Sequence, residues 1–207
     1  MMAKNHFIDT ILELESLFDQ VGEVSIKKEV SYLHPSYQAM ISASPFVVLA
    51  TAGLDGLDVS PRGDPPGFVH IKDEHTLWLP ERRGNNRIDS LRNIIADSRV
   101  ALFFLIPGNG ETLRVNGRAR ICIDPQLLQR FAMQDKLPKC VLEISVDTVF
   151  FQCARAIQRS KLWEGISDEV GKSVPTPGAI LQALTNSEVD GATYDRELPV
   201  RQKSTLY

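Results

Sequence analysis

Apolar and polar residues alternate along the sequence from Thr112 to Ile123. Successive side chains of a β-strand point to opposite faces of a sheet, so this period of two predicts one long strand with two unlike faces. The face expected to pack on the core holds Leu113, Val115, Gly117, Ala119 and Ile121. The other, which we call the arginine face, holds Thr112, Arg114, Asn116, Arg118 and Arg120. It is either a solvent face of an antiparallel sheet or a surface whose crowded positive charges need a counterion or a ligand.

Shorter β-rich runs surround this strand at residues 46–52, 67–71, 76–79, 100–106 and 141–153, with turn residues between them. The spacing of apolar residues predicts a helix over residues 87–95, and further short helices are expected after Pro35 and after Asp124. The sequence therefore predicts a mainly β (α+β) fold of about six antiparallel strands with flanking helices. A closed or nearly closed barrel is favoured because closure removes exposed strand edges.

The two ends of the chain differ from this β-rich middle. Apolar residues at helical spacing predict an amphipathic helix over residues 7–21, and a weak helix at 179–184 precedes a polar tail. We expect three parts: an N-terminal helical extension (residues 1–44), a barrel domain (45–163) and a C-terminal extension (164–207). The last of these is expected to pack on the barrel or on a partner subunit.

Composition narrows the classes of function. A net charge of -3 argues against a protein devoted to non-specific nucleic-acid binding, which depends on neutralising phosphates. The three cysteines are odd in number and form no CxxC pair, which is typical of a reducing, cytoplasmic setting. No apolar run approaches the ~20 residues that span a bilayer, so no membrane association is expected. The four histidines are scattered, and no metal site is expected.

A polar, arginine-rich segment runs from Leu79 to Arg87, between a predicted strand and a predicted helix. Backbone N–H groups at the start of a helix, beside Arg82, Arg83 and Arg87, would form an anion site. The alternative is a solvated loop capped by one of its two asparagines, Asn85 or Asn86.

A second polar loop is expected from Asp58 to Gly67. Its Arg62 stands between Pro61, which restricts the backbone, and Gly63, which frees it. An arginine presented in this way suggests a bidentate contact to a phosphate or a carboxylate.

These motifs occur in a recognisable order. The chain carries Ser-Pro-Arg-Gly-Asp, then Leu-Pro-Glu-Arg-Arg-Gly-Asn-Asn-Arg, then Glu-Thr-Leu-Arg-Val-Asn-Gly-Arg-Ala and finally Arg-Ser-Lys-Leu-Trp. In this order they resemble the pyridoxamine 5'-phosphate oxidase-related flavoproteins, over roughly residues 45–163. The resemblance implies an FMN-binding split β-barrel and a homodimer in which the second subunit completes each cofactor groove.

The resemblance also implies roles for particular residues. The turn after the third predicted strand would hold the FMN phosphate, and the arginine face would border the same groove. Residues near the end of the barrel domain would reach the flavin of the partner subunit. The cofactor contacts implied in this way are Arg62, Leu79, Pro80, Arg82, Asn85, Asn86, Arg87, Thr112 and Arg114, with Arg155, Arg159, Ser160 and Trp163 contributed by the second chain.

The substrate is not implied by the resemblance. In the oxidase itself, a C-terminal strand with arginine and histidine and a helix with tyrosine and arginine grip the substrate phosphate, and residues 124–137 and the late Ile-Gln-Arg-Ser run lack those patterns. We expect an FMN-dependent oxidoreductase acting on a small molecule, with no catalytic residue assigned. The alternative is a non-enzymatic flavin or tetrapyrrole binder that acts as a carrier or sensor, because a fold does not fix a function.

Overall fold

The structure is a computed structural model that describes residues 6–54, 56–165 and 173–207. Seven strands form one antiparallel sheet in the order β2-β1-β5-β6-β7-β4-β3. The strands are β1 (Phe46–Gly53), β2 (Gly56–Gly63), β3 (His70–Asp73), β4 (Thr76–Pro80), β5 (Arg99–Leu105), β6 (Thr112–Cys122) and β7 (Val141–Gln152). The expected mainly β fold with flanking helices is confirmed, with seven strands in place of about six. The ladder is not closed, because β2 and β3 remain as its edges.

The expectation of a loop from Asp58 to Gly67 is wrong, because its first half belongs to strand β2, which pairs with β1 along its whole length. Paired residues share a face of the sheet, so Asp58, Ser60 and Arg62 lie on the inner face opposite Thr51, Leu49 and Val47. The apolar Leu57 and Val59 point outward and are exposed. This pattern is the reverse of an ordinary half-buried strand, and Pro61 is tolerated because β2 is an edge.

The alternation along β6 is confirmed, and its inner face forms the centre of the core. Leu113, Val115 and Ala119 are fully buried against residues of β5 and β7. Gly117 lies at a β-bulge where β7 comes close, since a Cβ there would be 2.2 Å from the Ser145 carbonyl oxygen. A glycine is therefore required at this position.

Four helices flank the sheet: α3 (Pro35–Ala43), α4 (Asp89–Ala96), α5 (Pro125–Arg130) and α6 (Arg155–Ser160). Helix α4 packs on β1 and β2, where Asn93 Nδ2 donates to Thr51 Oγ1 at 3.1 Å and Ile94 is buried. The predicted N-cap of α5 is confirmed, because the Asp124 side chain accepts from the Leu127 N–H. The first turn of α4 is held next to β2 by the hydrogen bond from Ser90 to Asp58.

The single helix predicted over residues 7–21 is wrong in extent. The structure has one five-residue helix in this range, α1 (Ile11–Glu15), and a second one beyond it, α2 (Glu23–Lys27), and neither contains a buried residue. A capping box at Thr10 starts α1, but helices this short are marginal unless they pack on something. Apolar side chains such as Leu12 and Phe18 are accordingly exposed.

The polar tail expected after residue 184 is instead largely helical. Helix α7 (Pro177–Leu184) packs on α8 (Gly191–Ser204) where Gly178 and Gly191 let the backbones approach. Beyond α8, the Tyr207 hydroxyl donates to Asp64 Oδ1 at 2.6 Å and brings this end of the chain to the barrel. Part of the predicted C-terminal extension, residues 166–172, lies outside the described residues. In the described part of the chain, no helix has the length and apolar character that a bilayer crossing requires.

Candidate functional site

An open groove of about 510 Å³ lies at the seam between edge strand β2 and the segment that follows β4. Three inward-facing residues of β2 form one wall, and the arginine-rich segment from Glu81 to Arg87 forms the other. The first turn of α4, with Ser90, closes one end. The two polar segments singled out in the sequence, around Arg62 and around Arg82 to Arg87, therefore meet in one groove.

Two ion pairs cross this seam. In one the arginine is on the β2 side and the carboxylate on the other side, and in the second the positions are reversed. Arg62 Nε lies 3.1 Å from Glu81 Oε2, and Arg82 Nε lies 2.7 Å from Asp64 Oδ2. All four side chains are largely buried, and burial raises the pKa of Glu81 despite the neighbouring Arg62. These two arginines, both implied as phosphate contacts, thus already hold carboxylates and fix the two walls relative to each other.

The N-terminus of α4 opens into the groove without a side-chain cap. Its N-cap residue, Ile88, has φ 54 and ψ 24, a left-handed conformation that a β-branched residue rarely adopts. Asn86 is also left-handed, and Asn85 Oδ1 accepts from the Arg87 N–H at 3.1 Å. The first N–H groups of α4 are consequently available to an anion. Strain of this kind tends to be kept at functional positions.

Three further cations border the groove. Arg87 pairs with Asp89 at 2.7 Å, but its side chain is largely exposed. Arg83 and Lys139 form no ion pair within the described part of the chain. Solvent-exposed pairs such as Arg87–Asp89 contribute little to stability, so this arginine is free to exchange its partner.

A carboxylate also faces the groove. Ser90 is buried, and its hydroxyl donates to Asp58 Oδ2 at 2.5 Å, while Ser60 Oγ donates to the same oxygen at 2.8 Å. The bond from Ser90 is the largest cause that lowers the pKa of Asp58 below its usual value. Asp58 is therefore ionised at neutral pH, and its negative charge repels an anion bound beside the N-terminus of α4.

Two residues of the implied set lie next to this groove without lining it. The Leu79 side chain is fully buried in the core, so only its backbone can approach a ligand. Pro80 lines an adjoining cavity of about 350 Å³ together with Arg62 and Arg82.

The remaining implied residues form a second group. Thr112 and Arg114 lie on the outer face of β6, and the row Arg114–Phe103–Val48–Pro61 separates Arg114 from β2 by three strand spacings, about 14 Å. Arg155, Arg159 and Ser160 belong to α6, which follows the end of β7 that pairs with Thr112. Trp163 Nε1 donates to the Asn109 carbonyl at 2.6 Å. Within the described residues, this second group does not line the groove.

Two members of the arginine face have the counterions that the crowded charges were expected to need, and the chain itself supplies them. Arg118 lies 3.9 Å from Asp147, and Arg120 lies 2.7 Å from Glu143. Hydrogen bonds from Trp78, Arg120 and Lys72 lower the pKa of Glu143 to about 2. Arg114 differs, since its guanidinium lies 4.3 Å from the Phe150 ring and its buried Nε has no partner among the described residues.

Several residues were missed from the sequence: Asp58 and Ser90 in the groove, and Asp64 and Tyr207 in the adjoining cavity that Pro80 lines. The period of two in Asp58, Ser60 and Arg62 was a usable signal, because it repeats the spacing of a strand face. No local signal marks Tyr207. Within residues 6–54, 56–165 and 173–207, no three His, Cys, Asp or Glu side chains converge in a way that could hold a metal ion.

Three comparisons with known proteins show which family and which solved structures this chain is similar to. A family model described as pyridoxamine 5'-phosphate oxidase matches residues 33–153. No curated protein matches the chain. Similar solved structures include HupZ from Group A Streptococcus, with 19% identity, a TM-score of 0.47 and coverage of 58% of this chain and 94% of that one.

Two further solved structures are similar at the same level. A Clostridium acetobutylicum protein, related to general stress protein 26 of B. subtilis and described as of the pyridoxinephosphate oxidase family, has 12% identity, a TM-score of 0.45 and coverage of 57% and 86%. A FAD-binding protein from Mesorhizobium loti has 15% identity, a TM-score of 0.41 and coverage of 60% and 96%.

Proposed function

Since the chain belongs to the pyridoxamine 5'-phosphate oxidase family, we propose that it binds FMN and acts as an FMN-dependent oxidoreductase on a small-molecule substrate. The observation that carries the proposal is the uncapped N-terminus of α4, which opens into a groove bordered by arginines. FMN, when bound, supplies the transfer of an electron pair between substrate and acceptor. The protein supplies binding, orientation and charge.

The donors in the groove fit the phosphate end of FMN. Backbone N–H groups at a helix start and guanidinium forks are both favoured phosphate donors. Arg87 would exchange Asp89 for the phosphate, and Arg83 would add a charge that forms no ion pair among the described residues. The amides of Asn85 and Asn86 suit the ribityl hydroxyls. Arg62 and Arg82 would act mainly by holding the walls, because their carboxylate partners already satisfy much of their charge.

We infer further that the functional unit is a homodimer. The outer face of β2 exposes Leu57 and Val59, and the neighbouring strands continue this face with half-buried apolar residues such as Val48 and Phe103. An exposed apolar sheet face of this kind is typical of a protein–protein interface. A second copy would cover it.

The dimer would also complete the cofactor site. Arg155, Arg159, Ser160 and Trp163, with Thr112 and Arg114, would approach the flavin of the partner, since within one chain they lie apart from the groove. Trp163 suits this role because it is partly exposed and combines a large apolar surface with an N–H donor.

The absorbance spectrum of the purified protein tests the proposal, followed by release and identification of the chromophore. We expect a yellow protein, or stoichiometric uptake of FMN in preference to FAD. Bleaching by a reduced nicotinamide with reoxidation in air supports an enzyme, and tight binding without turnover across a substrate panel supports the carrier. Failure to bind either flavin contradicts the proposed function.

A further inference from the structure

Three side chains from distant parts of the sequence form a hydrogen-bonded row beside the groove. The Tyr207 hydroxyl donates to Asp64 Oδ1 at 2.6 Å, and Arg82 Nε donates to Asp64 Oδ2 at 2.7 Å. Arg82 lines the groove, and Tyr207 lines the adjoining cavity. We propose that Tyr207 is a positioning residue, which acts through Asp64 to keep one nitrogen of Arg82 available to a ligand in the groove. Resting on the proposed function, this ligand is the phosphate end of FMN.

Asp64 is the centre of the row. Its side chain is only 2% exposed, so its carboxylate oxygens need partners within the protein. The two oxygens are divided between two donors, Oδ1 to the tyrosine and Oδ2 to the arginine. The bond to Asp64 is also the largest cause that raises the pKa of Tyr207, so the hydroxyl keeps its proton at neutral pH and remains the donor.

This division of the oxygens determines what remains of the Arg82 guanidinium. Its Nη1 donates to the Phe131 carbonyl at 2.6 Å and its Nε to Asp64, whereas Nη2 has no hydrogen bond among the described residues. An arginine and a carboxylate favour a bidentate contact that uses both carboxylate oxygens. The Tyr207 hydroxyl opposes such a contact, because it occupies Oδ1. Without the hydroxyl, Oδ1 would bind Nη2 and withdraw it from the groove.

The other arginine of the seam has no nitrogen to spare. Arg62 donates from Nε to Glu81 at 3.1 Å, from Nη1 to the Pro61 carbonyl at 3.0 Å and from Nη2 to Ser90 Oγ at 3.4 Å. All three of its nitrogens therefore have partners within the chain. Of these two arginines, Arg82 is the one that can bind a ligand without first breaking a contact.

Tyr207 is itself held in place. Lys136 Nζ donates to its main-chain oxygen at 3.0 Å, and its ring centroid lies 5.7 Å from the Arg82 guanidinium. Lys136 pairs with Met133, which follows closely on the Phe131 carbonyl that Arg82 contacts. Residues 131–136 therefore contact both ends of the row. A guanidinium that is ordered before a ligand arrives lowers the cost of binding.

Tyr207→Phe tests the inference, because it removes the hydroxyl and keeps the ring. We expect FMN affinity, measured by flavin fluorescence titration, to fall by about three- to tenfold, as when a hydrogen bond to a charged group is weakened. Tyr194→Phe is the matched control. The Tyr194 ring also lies against an arginine guanidinium, that of Arg201 at 4.7 Å, but Tyr194 lines neither the groove nor the adjoining cavity. Its substitution should leave FMN affinity unchanged.

A double mutant separates positioning from a direct contact with FMN. Arg82→Lys keeps the charge that Asp64 requires, but an ammonium group has no second nitrogen that Asp64 could withdraw. In the Arg82→Lys protein, we therefore expect Tyr207→Phe to change FMN affinity by less than about twofold. An undiminished loss in that protein would mean that Tyr207 contacts the ligand itself, and would overturn the inference.

Modification by phenylglyoxal, located by tandem mass spectrometry, tests the same role without flavin. We expect Arg82 to react more slowly in Tyr207→Phe than in the wild type, because Nη2 is then bound to Asp64, while the exposed neighbour Arg83 reacts at the same rate. Unchanged FMN affinity, or modification of Arg82 that is unchanged or faster, overturns the inference. Slower modification of Arg82 in a protein that binds no flavin supports the role of Tyr207 and contradicts the proposed function.

Discussion

Arg62 on β2 and Glu81 beyond β4 meet across the seam of the sheet, with Nε 3.1 Å from Oε2. Four other strands separate β2 from β4 in the ladder, so this contact requires the sheet to curl until its two sides nearly touch. Side chains, and not backbone hydrogen bonds, complete the barrel there. The seam is therefore held together and still accessible, and this is where the groove lies.

Arg87→Gln is expected to weaken FMN binding by about 10–100-fold, because hydrogen bonds to charged groups contribute about 1.5–3 kcal/mol. Arg99→Gln is the matched control. Arg99 is also an exposed arginine paired with an aspartate two residues away, but it does not line the groove. Flavin fluorescence titration of both variants measures the difference, and equal losses would count against the phosphate assignment.

Asp58→Asn is expected to strengthen FMN binding about three- to tenfold. The substitution removes a negative charge near the phosphate while keeping an acceptor for Ser90, and like charges near a protein surface repel by on the order of 1 kcal/mol. The gain should persist across neutral pH, because the pKa of Asp58 lies below its usual value. Asp19→Asn, at an exposed position outside the groove, should have no effect. Weaker binding by Asp58→Asn would place the phosphate elsewhere.

Glu143→Gln is expected to lower the free energy of unfolding by about 1–3 kcal/mol at neutral pH, since Glu143 accepts bonds from Trp78, Lys72 and Arg120. Because the folded state lowers this pKa from 4.5 to about 2, its contribution is present above pH 4.5 and is lost as pH falls towards 2. Denaturant unfolding at several pH values should show the two proteins converging in acid. Asp147→Asn, which breaks a longer and more exposed pair, should change stability little.

Gly117→Ala is expected to cost about 3 kcal/mol or to prevent folding, because the new Cβ would lie 2.2 Å from a backbone oxygen of β7 that cannot move independently. Gly22→Ala has nothing within 4 Å of its new Cβ and should be tolerated. Thermal unfolding of the two variants distinguishes them. A fully stable Gly117→Ala protein would mean that the bulge is absent.

Val59→Asp is expected to dissociate the proposed homodimer and reduce FMN retention at the same time, because it places a charge on the exposed apolar face of β2. Val200→Asp alters a similarly exposed valine on α8 and should leave the assembly unchanged. Sedimentation of both variants provides the measurement. A wild-type monomer that binds FMN fully would rule out a shared site.

Features with a strong period were predictable from the sequence. The alternation along Thr112 to Ile123 and the helical spacing near Ile94 both reflect burial of one face, and both elements are present. Glu143 and Asp147 lie four positions apart and therefore on the same face of β7. The counterions of the arginine face could thus have been read from the sequence.

Features that depend on distant partners were not predictable. Strand β2 faces its polar residues inward because the groove at the seam is open and charged, which reverses the usual alternation of a half-buried strand. Tyr207 reaches Asp64 across 143 positions of sequence, and no local pattern records such a contact. The helix predicted over residues 7–21 had the right spacing, but the described chain gives it no surface to pack on.

The two free edges of the sheet are each unsuited to pairing with a further strand. On β2, Pro61 has no N–H to donate, and its carbonyl oxygen already accepts from Arg62 Nη1 at 3.0 Å. On the opposite side, β3 has only four residues and a register irregularity between Ile71 and Asp73. Short, irregular or proline-bearing edges resist the strand-to-strand stacking that leads to aggregation. Arg62, which lines the groove, thus also helps to prevent edge-to-edge aggregation of the open sheet.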